Sequence, residues 1–344
     1  MADETLSSTE GGEPASNVRK YSTLIAAAIG AAYGLSLRLL AAWHSGFALI
    51  LVMSCGFIFF MPFALGCISV YIDELQRPRK VWTWIFMPWL PMVAALMVLL
   101  LVMLEGLICI VMLLPVGLLL ASLGGVAGGM SARFVRSQRA RRVTMTCIAL
   151  LPLLAHPWEK QALYQWETRR VESAIDIQAS PELIWRNIER VPAIRGEELP
   201  PSWAHAVGFP DPVEATLSHE GVGGVRNASF TGGVLFIETV DVWEPGRRLG
   251  FTIAAQPIPP KTLDEHVTVG GEYFDVLRGE YQLETLAPGV IRLHLSSQHR
   301  VSTDFNWYAH FWTDAVMSDV QKRILRVIQQ RCQAQEREAR GPRS

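Results

Sequence analysis

The chain has 344 residues, half of them apolar, and its 31 Lys and Arg against 32 Asp and Glu leave a formal net charge of -1. That length allows two domains, and the near-neutral balance excludes the basic footprint expected of a nucleic-acid-binding protein. The charge is uneven, because between Tyr21 and Ala132 the only Asp, Glu, Lys and Arg are Arg38, Asp73, Glu74, Arg77, Arg79, Lys80 and Glu105.

In chain order, residues 1–20 begin with Asp3, Glu4, Glu10 and Glu13 among Ser, Thr and Gly, which predicts a disordered tail. Residues 21–158 read as a transmembrane region of five helices. Ser22–Trp43 is the first, with Arg38 near its end able to snorkel. Gly46–Ile72 and Val81–Leu104 contain no charge, and each is long enough to cross about 30 Å of hydrocarbon. Gly106–Ala132 follows after Glu105 alone; as one helix, Val81–Ala132 would run roughly 78 Å, so Glu105-Gly106 must be a turn between two spans. Near the end of the fourth span, Gly124 with Gly128 and Gly125 with Gly129 would admit another helix closely, either within the chain or in a helix-packing oligomer. The span interiors lack the ionisable groups that ion and proton pathways use, which argues against a transporter.

Basic residues mark alternate connections: Arg19 and Lys20, then Arg77, Arg79 and Lys80, then Arg133, Arg136, Arg139, Arg141 and Arg142. The positive-inside rule places these on the cytoplasmic side, with the N-terminus. The fifth segment, Val143–Trp158, covers only roughly 24 Å and contains Pro152, yet it is flanked by arginines and Trp158. Read as a crossing, it puts the following domain on the extracytoplasmic side. Four of the five cysteines (Cys55, Cys67, Cys109, Cys147) lie in apolar segments, and Cys332 alone follows, so no disulfide can form within the soluble half.

Past Glu159 the period changes. Val171–Ala179 alternates as a half-buried strand, with Glu172, Asp176 and Gln178 outward. Ser180-Pro181-Glu182 supplies a cap, a first-turn proline and a first-turn acid for a helix buried through Ile184, Trp185, Ile188 and Val191. Glycine turns then separate strands near 226–230, 234–243, 249–255, 273–284 and 290–301, an antiparallel meander. An amphipathic helix from Phe305 to about Gln333 closes the domain (169–333), and residues 334–344 read as a flexible tail.

The run Ala179-Ser180-Pro181-Glu182-Leu183-Ile184-Trp185 and the turn Trp243-Glu244-Pro245-Gly246-Arg247-Arg248-Leu249 resemble motifs of the helix-grip superfamily of START lipid-transfer domains, birch-pollen-allergen-like proteins and polyketide cyclases or dehydratases. More narrowly, the chain resembles bacterial members with a membrane region before the domain, which implies the bacterial inner membrane. The fold class expected is α+β, an all-α transmembrane bundle followed by a helix-grip domain. The resemblance implies an apolar cavity between sheet and last helix. Alternation then assigns Phe236, Glu238, Tyr273, Asp275, Leu295 and His299 to its wall, and Tyr308, Phe311 and Trp312 from the helix.

A buried carboxylate beside a histidine can move protons, so Glu238, Asp275 and His299 are also the acid/base candidates, against the plainer reading that each is a satisfied structural group. No HExxH or paired CxxC motif occurs, so no metal is expected, and no cofactor. The expected partners are membrane lipids and a hydrophobic small molecule (a lipid, isoprenoid or quinone-like compound). Three functions follow from this reading: a membrane-anchored binder of that ligand, a cyclase- or dehydratase-type enzyme using the same cavity, or a domain that docks another protein.

Overall fold

The long apolar runs fold as helices, in which each backbone N–H finds its acceptor within the same segment. A computed structural model of the protein describes residues 21–42, 54–162, 166–257 and 268–340; the predicted tail 1–20, residues 43–53 and the last four residues lie outside it. The chain divides into two units, Met1–Leu104 with Leu113–Glu159, and Glu105–Met112 with Lys160–Ser344.

The first unit is built of α1 (Ser22–Ala42), α2 (Gly56–Gln76), α3 (Val81–Leu101) and most of α4 (Leu107–Phe134) and α5 (Gln138–Ala162), the start of α4 to Met112 and the end of α5 from Lys160 belonging to the second. Among the described residues four helices, α1 to α4, are long and apolar enough to cross a membrane. The predicted fifth segment is part of α5, which also takes in Arg139, Arg141, Arg142, Glu159 and Lys160, and these charges keep it below that threshold. Backbone N–H groups of Val102, Met103 and Leu104 fold back on the end of α3, so the turn begins three residues before the expected one at Glu105.

α2 runs past the predicted Ile72 and carries Asp73 and Glu74 into the interior, both buried. They are tolerated because each is surrounded by donors. Asp73 accepts from Ser22 Oγ at 2.9 Å and Arg79 Nε at 2.9 Å. Glu74 accepts from Trp84 Nε1 at 3.0 Å and Arg133 Nε at 3.0 Å, and the Arg133 guanidinium lies 4.5 Å from the Trp84 ring centroid. One clasp therefore ties the start of α1, the end of α2, the start of α3 and the end of α4. The glycines of α4 are taken up inside the chain: a Cβ on Gly124 would lie 1.9 Å from Phe63 O, on Gly128 2.2 Å from Cys67 O, on Gly125 2.1 Å from Trp84 O and on Gly129 2.3 Å from the Trp84 ring.

The second unit contains β1 (Glu167–Ile177), α6 (Pro181–Glu189), α7 (Trp203–Ala206), β2 (Pro212–Leu217), β3 (Val225–Phe230), β4 (Leu235–Glu244), β5 (Arg248–Ala255), β6 (Phe274–Ala287), β7 (Val290–Val301) and α8 (Asn306–Arg340). The seven strands form one curled antiparallel sheet in the order β1-β7-β6-β5-β4-β3-β2. β2 is the strand that the sequence pattern did not reveal. Ser180 caps α6 as expected, accepting from Leu183 N at 3.2 Å.

Ile177, Ile184, Ile188, Leu249, Leu293, Leu325 and Ile328 make the main core, where Trp185 meets Trp243 edge-on at 5.1 Å. α8 extends beyond Gln333 to Arg340, into the stretch expected to be a flexible tail, where Gln335 and Glu336 bond Asn187 and the Ser180 backbone of α6. The outer face of the sheet is ionic: Arg292 holds Asp176 at 2.7 Å, and His294 lies 2.8 Å from Glu172.

Candidate ligand-binding site

Between the sheet and α8 the second unit forms a partly open cavity of about 130 Å³. The engineered cavity of about 150 Å³ that accepts benzene sets the scale, so the space holds roughly one ring. Its wall is mostly apolar: Phe230, Phe236, Phe251, Ile253, Phe274, Val276 and Leu295 from the sheet, and Met317, Val320 and Ile324 from α8. Gly279 matters by what it lacks, since a Cβ there would stand 2.5 Å from the Phe251 ring.

Into this wall β3 and β4 place a charge pair. Arg226 and Glu238 are cross-strand partners, both buried, joined by a hydrogen bond from Arg226 Nη1 to Glu238 Oε2. Phe251 and Tyr281 lie under the guanidinium, with centroids 5.3 and 5.9 Å from its carbon. Burial works against the Arg226 charge, but Glu238 and Tyr281 outweigh it and raise the group. Burial also lifts the Glu238 carboxyl above the usual range, with Arg226 opposing the rise. These tendencies conflict, one favouring an ion pair and the other a neutral acid. The direct contact decides for the ion pair, because a neutral acid would leave the buried cation without a counter-charge.

Polar groups also come from α8 and β7. Gln321 donates to Ser297 Oγ and Val171 O, both at 3.0 Å, while Gln321 Oε1 and Arg226 Nε are buried with no hydrogen-bond partner among the described residues. An acceptor and a donor are thus left over beside one cavity.

Of the residues assigned from alternation, Phe236, Glu238 and Leu295 line this cavity; Tyr273, Asp275, His299, Tyr308, Phe311 and Trp312 do not. The reason on β6 is a bulge between Val276 and Arg278. An extra residue reverses the alternation, so even positions (Phe274, Val276) face inward before it and odd ones (Gly279, Tyr281) after it. Asp275 therefore stands opposite Arg300 on the other face, and Tyr273 precedes the strand.

His299 does share the inner face with Leu295, but lies beyond the cavity against Phe274, at a ring distance of 5.6 Å, and 3.6 Å from Asp314. It is fully buried, and burial pulls its pKa down to about 4, so it is neutral at physiological pH. The helix residues miss because the cavity meets α8 later, at Met317, Val320, Gln321 and Ile324. Phe311, expected inside, is exposed. Glu238, Asp275 and His299 are consequently on three strands and in three different surroundings, and no acid/base pair forms among them.

Arg226, Ser297 and Gln321 were not proposed from sequence. Arg226 left one signal: it shares its alternate positions with Ala228 and Phe230, so an arginine occupies an otherwise apolar face.

The strand order, with α6 inserted after β1 and one long helix packed on the sheet from the C-terminus, defines the architecture. The second unit is a helix-grip domain. No family model and no curated protein matches the chain. Solved structures align with about half of it. An aromatase/cyclase from a Streptomyces species is 16% identical, covering 50% of this chain and 98% of that one at a TM-score of 0.33. A START superfamily protein from Mycobacterium smegmatis is 11% identical over 48% of this chain and 98% of its own, TM-score 0.32. A norcoclaurine synthase from Thalictrum flavum is 11% identical with the same coverages and a TM-score of 0.30.

Proposed function

We propose that this helix-grip domain holds a small apolar ligand, with Arg226 orienting the ligand's polar end, and that the helical unit anchors it in a membrane where such ligands partition. The observation that carries the reading is the partly open apolar cavity with a buried Arg226–Glu238 pair in its wall. A few fixed polar groups in an apolar cavity give orientation and specificity. The volume favours a ligand whose buried part is about one ring or a short chain segment; a full lipid tail needs the helix and sheet to part.

For the anchor, we read α5 as a crossing. Its first turn lies at the end of α4, where Arg141 Nη1 reaches Ala132 O at 3.5 Å. Tyr33 Oη donates to Ala149 O at 2.7 Å, and the two positions stand equally far into α1 (22 to 33) and α5 (138 to 149), about 16 Å of rise each. The clasp holds the start of α1 to the end of α4, beside which α5 begins, so on this reading α5 climbs beside α1. This reading puts the helix-grip domain on the side opposite the start of α1.

Native mass spectrometry of the full chain released from mild detergent tests the binding. A reproducible adduct on the wild type, lost in Leu295→Trp, is expected. An adduct that persists in Leu295→Trp places the ligand elsewhere, and a bare mass at every activation energy removes the binding reading.

A further inference from the structure

One end of the helix-grip domain carries exposed aromatic side chains. Trp307 and Phe311, one turn apart on α8, are 68% and 65% exposed, and Trp166, just before β1, is 66% exposed. Phe311 continues through Trp312 (5.3 Å) to Trp203 (6.3 Å), itself 38% exposed. The two groups are held together at the start of β1, where Glu167 meets Asn306 Nδ2 at 3.3 Å and His310 Nε2 at 3.1 Å. The Arg300 guanidinium covers Trp166 at 4.6 Å, which keeps that ring in place beside the sheet end.

Large exposed aromatics at one end of a soluble domain are costly in water and mark a contact surface. Tryptophan is the residue that favours the headgroup layer, with its ring in the apolar boundary and its N–H in the polar one. The chain itself names the occupant. Ala162 ends α5 and Trp166 follows four residues on, so covalent reach keeps that ring within about 14 Å of the helix that leaves the anchor. The opposite end of the sheet, the β6–β7 hairpin near Leu286, has no such tether.

We propose that Trp166, Trp203, Trp307 and Phe311 form a bilayer-docking face that seats the entry end of the domain in the headgroup layer of its own membrane. Met317, the first cavity residue of α8, lies six residues beyond Phe311, about 9 Å along the same helix. Docking thus sets the cavity next to the bilayer. The inference rests on the anchoring proposed above and is independent of the direction in which α5 runs.

The test uses the full chain with Cys55, Cys109 and Cys147 replaced by alanine, reconstituted in phosphatidylcholine and phosphatidylglycerol vesicles. A nitroxide is attached at Trp307→Cys or Phe311→Cys, and at two references: Leu119→Cys on the exposed side of α4, and Leu286→Cys at the far hairpin. Collisions with dissolved oxygen and with a water-soluble nickel chelate are compared. Oxygen should dominate at 307 and 311 as it does at 119, and nickel at 286. If 119 is lipid-like while 307 and 311 behave like 286, the docking face is refuted and the anchor stands. Labels at 307 and 311 shielded from both reagents would show protein covering the face, which also overturns it. A water-exposed 119 overturns the anchor and the docking face together.

Discussion

Removing either partner of the Arg226–Glu238 pair should be costly, and the two removals should answer differently to pH. Both groups are nearly inaccessible to solvent, and their hydrogen bond is the main compensation for burying them. Deleting one partner of such a pair typically costs about 3–5 kcal/mol, whereas replacing both with apolar residues is often neutral. For a domain of this size each kcal/mol moves Tm by about 2–4 °C, so single variants should melt roughly 6–20 °C lower. In Arg226→Met the orphaned carboxyl can escape its cost by taking a proton. Its folded pKa then exceeds the unfolded value, the folded state binds more protons, and the stability loss shrinks as pH falls through the raised pKa. In Glu238→Leu the orphan is a guanidinium that cannot deprotonate, so acid brings no relief.

Thermal unfolding of the full chain in detergent, followed by near-ultraviolet circular dichroism at neutral pH and at about pH 5, reads both effects against wild type at the same pH. Arg226→Met should recover in acid, Glu238→Leu should not, and the double variant should melt near wild type at both. Single variants within about 1 kcal/mol of wild type, or equal recovery of both in acid, would refute the ion-pair argument.

Two further outcomes are expected. Because burial lowers the His299 pKa from 6.5 to about 4, the unfolded chain binds more protons between those values, so its contribution to stability is complete above about 6.5 and fades as pH falls toward 4. His299→Gln should flatten this part of the stability profile, and a profile as steep as wild type would mean another group titrates there. A reporter active only outside the cytoplasm should be active when fused after Ser344 and silent when inserted between Arg77 and Lys80; activity at neither position would show that α5 does not cross.

The periodic parts of the fold were legible because period alone decides them. Charge-free runs gave the four long helices, Ser180-Pro181-Glu182 gave the start of α6, and glycine turns gave five of the seven strands. β1 was also seen, from Val171, although it begins at Glu167. β2 was hidden because Pro212–Leu217 is short and follows a proline-rich passage without a turn signal. The site was less legible, in part for a local reason. Alternation assumes an unbroken strand, and the bulge after Val276 inverts it, so Asp275 was assigned to the face that Val276 occupies. The Arg226–Glu238 pair needed the β3–β4 register, and strand register is a tertiary fact: nothing within either strand states which residues meet.

The charge argument for orientation has to be made again once the clasp is known, because paired arginines have less to offer anionic headgroups. Arg79 is engaged by Asp73 and Arg133 by Glu74, so these two, with their carboxylates, cancel. Arg77, Lys80, Arg136, Arg139, Arg141 and Arg142 remain, with no carboxylate partner among the described residues, and all lie in or beside the α2–α3 and α4–α5 connections. The α3–α4 turn at the other end carries Glu105, and there Arg38 of α1 donates to Leu104 O at 3.1 Å. The asymmetry that orients short loops counts Lys and Arg and is little affected by acids, so under the proposed anchoring six cations against Arg38 alone would favour a cytoplasmic clasp end. The clasp also accounts for the depth to which α2 carries two acids. They are neutralised at one end of the bundle, where the donors of four helices converge, and so add no charge to the apolar stretch that precedes them.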